Sequence, residues 1–403
     1  MKRRKIALLI VIPFFIGVLS VIFIYTGLWQ NFKESLKTVP WWLWILYLPI
    51  SFYVTLTLHE LGHFLAFKFQ GVKLRALYLT IFTFYKTEKQ WHFKVYPKLW
   101  VLLGGLVVPD LDLIENENDY QRTQKAFEIS LMTGPVVTIV FMGMTVLTFL
   151  FSFFFSTQIY WLGHLTAFTL YTTLLSALYI FTFRLAAQGF FGDFVAYRKM
   201  KTEPIFTFIQ LAQYLMFRVD QKQTTTAFMF RKAVALILQT QPRTDLFYEA
   251  LMMHYLEGVV YEGEDVDTNV HQIILRAPLT SHLYSENGLT YAYDVVIYLY
   301  HQGEVEKAYQ LLEMIEKQQS RRLDEKLRRY LNKKTKHVIN HTYDEAFLNN
   351  EANYPKDQTW IFKPFLDMTP HIKKLHQPLP FRVYATEIKW PDDDGENDTT
   401  REE

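Results

Sequence analysis

His59, Glu60 and His63 fall within one short run, His59-Glu60-Leu61-Gly62-His63, which fits the H-E-x-x-H pattern of a zinc site. Residues four apart on a helix share a face, so both imidazoles can reach one metal ion. Glu60 is offset by one position and can approach the place that water takes in the coordination shell. Zinc brings the pKa of such a water down to about 7. A carboxylate beside it can take the proton and later pass it to a leaving amine. The chain contains no cysteine. That removes disulfides, a thiol nucleophile and thiolate ligands, and leaves His, Asp and Glu to complete any metal site.

The motif must be carried by a helix, and that helix lies in an apolar stretch. Of 403 residues, 50% are hydrophobic and 17% are Phe, Trp or Tyr, with most of the excess before residue 200. Residues 6–25 carry no charge and follow Lys2, Arg3, Arg4 and Lys5. A bilayer core takes about 20 apolar residues of helix. No small-x-small cleavage site follows the run, so it predicts a span with a cytoplasmic N-terminus. A second span is predicted from about Trp41 to Phe67, opened by the interfacial cluster Trp41, Trp42 and Trp44, with the motif near its end. A third covers about Ile129 to Phe155 and a fourth about Gln158 to Phe183, both without Asp, Glu, Lys or Arg. In this order the basic segments, Lys68 to Lys98 and the stretch holding Arg184, Arg198, Lys199 and Lys201, fall on the cytoplasmic side, as the positive-inside tendency requires. Charged groups at membrane depth cost at least ~2.5 kcal/mol each. Two histidines and a glutamate there need a compensating partner, which a metal supplies; the plainer reading is a polar cluster at the helix end, near the interface.

Between spans two and three, residues 76–86 and 91–96 are rich in strand formers and joined by Thr87-Glu88-Lys89-Gln90, which predicts a hairpin. Residues 99–109 are apolar but too short to cross, and read as a re-entrant or interfacial segment. From residue 202 the apolar runs become amphipathic. Residues 289–318 predict two helices joined near His301-Gln302-Gly303, similar to a tetratricopeptide pair, with further helices near 222–240, 243–257 and 267–276. The fold class is therefore mostly α: a polytopic membrane domain of about four transmembrane helices with a small β-hairpin and re-entrant region (1–201), an α-helical cytoplasmic domain (202–385), and an acidic tail read as disordered (386–403). The helical domain reads either as a docking surface for a protein partner or as a stabiliser of the membrane part. His337 and His341 are four apart but have no acid partner in sequence, and read as a surface helix face. With a formal charge of +2 and no basic tract interleaved with aromatics, nothing suggests nucleic-acid binding.

HELGH within a membrane helix resembles the site-2 protease family of intramembrane zinc metalloproteases. Gly71-Val72-Lys73, a strand-rich hairpin and Gly104-Gly105 look like that family's membrane-associated β-region, and Gly134-Pro135 matches a Gly-Pro pair it places early in the third span. The resemblance covers roughly residues 40–200. It implies zinc as cofactor, Glu60 as catalytic residue, and His59, His63 and a downstream aspartate as ligands. It also implies membrane-spanning or membrane-anchored peptides as substrates, in the cell membrane. The family takes its aspartate from an Asn-x-x-Pro…Asp-Gly motif, and Asp193 is the candidate. Here the chain reads Gly192-Asp193-Phe194, without the preceding Asn and Pro and without the Asn that usually follows the Gly-Pro pair. The predicted topology favours Asp193 independently. Spans two and four both run inward, so a segment folding back after span four, on Gly189 and Gly192, reaches the depth of His59 and His63. His164 lies toward the other end of span four, and Asp110 and Asp112 lie in a loop. Two other readings stand: a catalytically silent relative acting as a binding or scaffold protein, and a metal transporter. The transporter would need polar residues lining spans three and four, which look largely apolar.

Overall fold

The computed structural model describes residues 17, 21, 27–86, 90–102, 104–155, 158–187, 190–215, 223–318, 323–340, 344–348 and 350–353. The first predicted span, apart from Gly17 and Val21, and the acidic tail lie outside the described residues.

The chain opens with a short helix, α1 (Leu28–Lys37), and then α2 (Trp41–Phe69), the predicted second span. Pro40 stands at the N-cap of α2, where a missing N–H costs nothing. The helix stops because Gly71 adopts φ 77°, a left-handed conformation that glycine takes without strain. Gly71 N–H then bonds Lys68 O (3.1 Å) and Val72 N–H bonds Phe67 O (3.0 Å), so two orphan carbonyls are satisfied and the chain turns into a strand at Lys73.

A four-stranded antiparallel sheet follows, β1 (Lys73–Leu79), β2 (Phe82–Lys86), β3 (Trp91–Val95) and β4 (Gly105–Asp110), in the order β3-β2-β1-β4. One expectation is corrected. Residues 76–86 are not one strand; the chain reverses at Thr80-Ile81, with Thr80 at φ 50°. Neither residue is a turn former. Tertiary bonds hold the reversal: Thr80 N–H to Gly104 O (3.0 Å) and Thr80 hydroxyl to Tyr53 hydroxyl on α2 (3.1 Å). Residues 99–109, read as a re-entrant or interfacial segment, take strand form in part. They divide between a 3-10 turn (Pro97–Leu102) and β4, whose Val107 and Val108 are buried in the protein, so their apolarity serves a sheet core.

α3 (Glu117–Phe155) begins well before the predicted third span, because its charged first turns are not lipid-facing. Gln124 Nε2 donates to Met200 O (2.8 Å), and Glu117 pairs with Lys232 (2.9 Å). α4 (Ile159–Thr182) is the predicted fourth span. Among the described residues, α2, α3 and α4 are the helices long and apolar enough to cross a membrane. Leu147, Phe151, Leu174 and Phe181 show the apolar outer faces such helices turn toward lipid.

After a two-stranded turn, β5 (Ala186–Ala187) and β6 (Phe190–Phe191), come α5 (Asp193–Thr202) and α6 (Pro204–Leu215), then α7 (Gln223–Gln239), α8 (Leu246–Tyr261), α9 (Thr268–Arg276), α10 (Glu286–His301), α11 (Val305–Gln318) and α12 (Glu325–Asn340). The helices expected near 222–240, 243–257 and 267–276 and the 289–318 pair are present. Gly303 at φ 77° makes the turn of that pair. α12 corrects the surface reading of His337: Leu327, Tyr330, Leu331 and Val338 pack its inner face into the core, and His337 is buried with them. His341 lies outside the described residues.

Candidate metal centre

His59 and His63 sit on consecutive turns of α2 and present their Nε2 atoms to one another at 3.1 Å. Asp193, the first residue of α5, places Oδ2 3.1 Å from His59 Nε2 and 3.5 Å from His63 Nε2. Among the described residues this is the group of His, Asp and Glu side chains arranged to hold a metal ion. An ion bound tetrahedrally at the 2.0–2.1 Å typical of zinc needs donor atoms about 3.3 Å apart, which is the spacing present.

The outer nitrogens show that the inner ones carry lone pairs. His63 Nδ1 lies 2.7 Å from Ser130 O, a carbonyl that only accepts, so Nδ1 holds the proton. His59 Nδ1 lies 3.0 Å from Thr138 Oγ1, whose own hydrogen goes to Gly134 O (3.2 Å), so here too Nδ1 donates. Both tautomers are assigned from the hydrogen-bond pattern. Two imidazole lone pairs and a carboxylate oxygen then converge in a buried site. Acceptors alone repel; a cation among them removes the conflict.

Three backbone approaches build the site. A Cβ at Gly134 would stand 2.3 Å from His63 Nε2, so only glycine lets α3 pass this close. A Cβ at Gly105 would meet Glu60 Cδ at 2.4 Å, so β4 runs against the Glu60 carboxyl. That carboxyl is buried, with Oε1 3.9 Å from His59 Nε2: beside the ligand atoms and outside their triangle. The third approach is at Gly192. The chain was expected to use this residue for a non-helical turn holding Asp193. Gly192 is indeed non-helical, with an extended φ of −66° open to any residue; glycine is needed because a Cβ there would lie 2.2 Å from Thr182 O. Phe194 N–H bonds Phe183 O (3.1 Å), folding the segment back on the end of α4, and Asp193 begins a helix. Gly189 lies outside the described residues. Phe183 stacks on His59 at 4.8 Å and 11°, closing the site on that side.

The rival residues go elsewhere. His164 Nδ1 pairs with Tyr47 hydroxyl (2.8 Å), and Asp110 with Arg75 (2.9 Å); Asp112 is not among the grouped ligands. Thr138 and the Ser130 carbonyl went unread in the sequence, although Thr138 stands one turn after Gly134. Second-sphere partners of a ligating histidine are worth about 10–100-fold in metal affinity. Thr138→Val, similar in shape but unable to accept from His59, is expected to weaken zinc retention by that order in competition with a chelator. Native affinity in this variant would reduce Thr138 to packing.

The family model described as Peptidase family M50 matches residues 47–338, a stretch that contains His59, Glu60, His63 and Asp193. No curated protein and no solved structure matches the chain.

Proposed function

The chain belongs to peptidase family M50, and on that premise we propose that it is an intramembrane zinc metalloprotease hydrolysing peptide bonds of membrane-spanning or membrane-anchored peptides. One observation carries the reading: two imidazoles on a helix able to cross a membrane and a carboxylate from α5 converge at 3.1–3.5 Å, with the buried Glu60 carboxyl at their side. His59, His63 and Asp193 would hold the ion. Zinc there lowers the pKa of water and polarises a carbonyl. Glu60 accepts the proton of the attacking water and returns one to the leaving amine.

A substrate helix hides its carbonyls in hydrogen bonds, so the scissile stretch must first be extended. The sheet beside Glu60 offers edges for strand addition. β3 and β4 are its two edges: β4 touches Glu60, and β3 carries the exposed Trp91, Phe93 and Val95. β3 stands roughly 14 Å, three strand spacings, from β4, and would hold the peptide some residues away from the cut. Proline substitutions along β3 are expected to impair cleavage and spare zinc; equal turnover would reject docking there. The basic segments support four spans with the N-terminus and the helical domain in the cytoplasm, and α10 with α11 supports a tetratricopeptide-like docking surface for a protein partner.

The test is metal dependence on the full chain in detergent. About one zinc per chain, cleavage of a membrane-anchored peptide, loss of cleavage with a chelator and its return with zinc are expected. Zinc-loaded protein that cleaves nothing would favour the scaffold reading, and cleavage indifferent to the chelator would remove metal hydrolysis.

A further inference from the structure

Asp193 is the ligand that lies outside α2, and the arm that carries it is slight. Its side chain is 21% exposed, so packing around the carboxylate does not by itself fix Oδ2. The backbone before and after it must set its place. Toward α4, Gly192 N–H bonds Leu185 O (2.9 Å) beside the paired strands β5 and β6. A two-stranded ladder is marginal on its own, and this one has two residues in each strand. The arm therefore needs a side-chain anchor.

Phe191 is that anchor. Phe190 is exposed, and Phe191, next in the strand, turns the other way and is half-buried. Its ring meets Phe206 of α6 (centroids 5.6 Å apart, 88°) and Phe247 of α8 (5.6 Å, 38°), and those two meet each other (5.1 Å, 67°). Lys199, on α5, lays its ammonium over all three rings, 5.1 Å from Phe191, 5.8 Å from Phe206 and 5.9 Å from Phe247. Each lies within the ~6 Å over which a ring face attracts a cation. Glu203 Oε2, at 2.7 Å, balances the charge from the more exposed side. Lys199 counts in the sequence among the basic residues of a cytoplasmic segment, yet it does not extend into water as a lone surface lysine would. Phe247 is held in turn, because Asp245 caps α8 and accepts from the Phe247 N–H (3.1 Å).

We propose that Lys199 and Phe247 are positioning residues for the metal centre: by clamping Phe191 they fix the Asp193 carboxylate against the two histidines, and the helical domain is thereby a working part of the zinc site. The inference rests on Asp193 as a ligand and not on what the site does to a peptide. A ligand must be held to within about 0.5 Å by residues that are themselves locked. Phe191 stands two residues before Asp193, and its partners in the cage come from α5, α6 and α8. The arm is thus tied to α4 by its backbone and to the helical domain by one ring. Losing the second tie leaves the short ladder to place the carboxylate alone.

Chelator competition on the full chain in detergent, below the unfolding temperature of each metal-free protein, reads the clamp as zinc affinity. Lys199→Gln removes the cation, and Phe247→Leu removes a ring but keeps bulk. Each is expected to weaken zinc binding about 10-fold, the lower end of the effect of losing an outer-shell partner. Lys199→Arg, still able to stack on the rings, is expected to bind like the native chain. The double variant should lose little more than either single one, because both act through Phe191. Ile339→Ala, which opens a cavity on α12 away from the cage, is expected to lower the unfolding temperature and leave zinc affinity unchanged. Native affinity in folded Lys199→Gln overturns the clamp. So does a Lys199→Arg variant as weak as Lys199→Gln, or an equal loss in Ile339→Ala. Should Phe247→Leu not fold, the Gln and Arg pair decides. A native chain that binds no zinc overturns the clamp together with the ligand set. One that binds zinc and cuts nothing rejects the protease, while the affinities of the variants still judge the clamp.

Discussion

Glu60→Gln is expected to yield a protein that is folded, zinc-loaded and unable to cut. The two side chains have nearly the same shape, so the amide can occupy the space against Gly105 that any Cβ there would fill. Glu60 Oε1 is 3.9 Å from His59 Nε2, outside the ligand triangle, so metal content should not change. What the amide cannot do is accept a proton. General-base assistance is worth roughly 10²–10⁴-fold, and the leaving amine also loses its proton donor, so the loss should lie at the upper end. The measurement is cleavage of a co-expressed membrane-anchored peptide beside zinc per chain. A variant with normal zinc and normal cleavage would mean that Glu60 is not the base. A variant that loses zinc would mean that Glu60 is structural to the site, and the distinction between base and ligand drawn from the 3.9 Å separation would fail.

The parts of this molecule legible in its sequence are those set by local periodicity. HELGH announces its own geometry, because a four-residue spacing on a helix brings the two rings together without help from the rest of the chain. Spans α2 and α4 are long, largely apolar runs, and the α10–α11 pair is punctuated by Gly303. The illegible parts are those decided by contacts between distant segments. The reversal at Thr80-Ile81 has no turn residue and exists because Gly104 and Tyr53 hold it. The strand β4 was not read as one, because burial in a sheet and burial in lipid select the same side chains. Thr138 looks like any threonine in an apolar helix until α3 is laid against His59. Asp193 was reached by topology and resemblance, and the chain does turn non-helically at Gly192; what the sequence could not show is that glycine is needed there to make room for the carbonyl of Thr182.

Asp193→Asn tests the ligand set where the sequence departs most from its family. The substitution keeps size and removes charge. At the ligand triangle that leaves two neutral imidazoles and an amide oxygen, with no anion to offset a divalent ion in a buried site. Metal retention should fall by more than the 10–100-fold expected of a second-sphere partner such as Thr138, and the purified variant should hold well under one zinc per chain. A second effect must be separated from this one. Asp193 also opens α5, where an acidic side chain gains about 0.3–1 kcal/mol from the helix N-terminus. That contribution acts on stability with or without metal. Thermal unfolding of the chelated native and variant proteins isolates it, and zinc content at a temperature where both are folded isolates the ligand role. Undiminished zinc in a folded variant would strike Asp193 from the ligands and leave two histidines that cannot by themselves hold a catalytic ion. Zinc loss with folding intact would instead mean that a chain reading Gly-Asp-Phe supplies the same carboxylate as one reading Asp-Gly. The carboxylate is placed by the fold-back over the end of α4, which the Phe194 N–H to Phe183 O bond fixes.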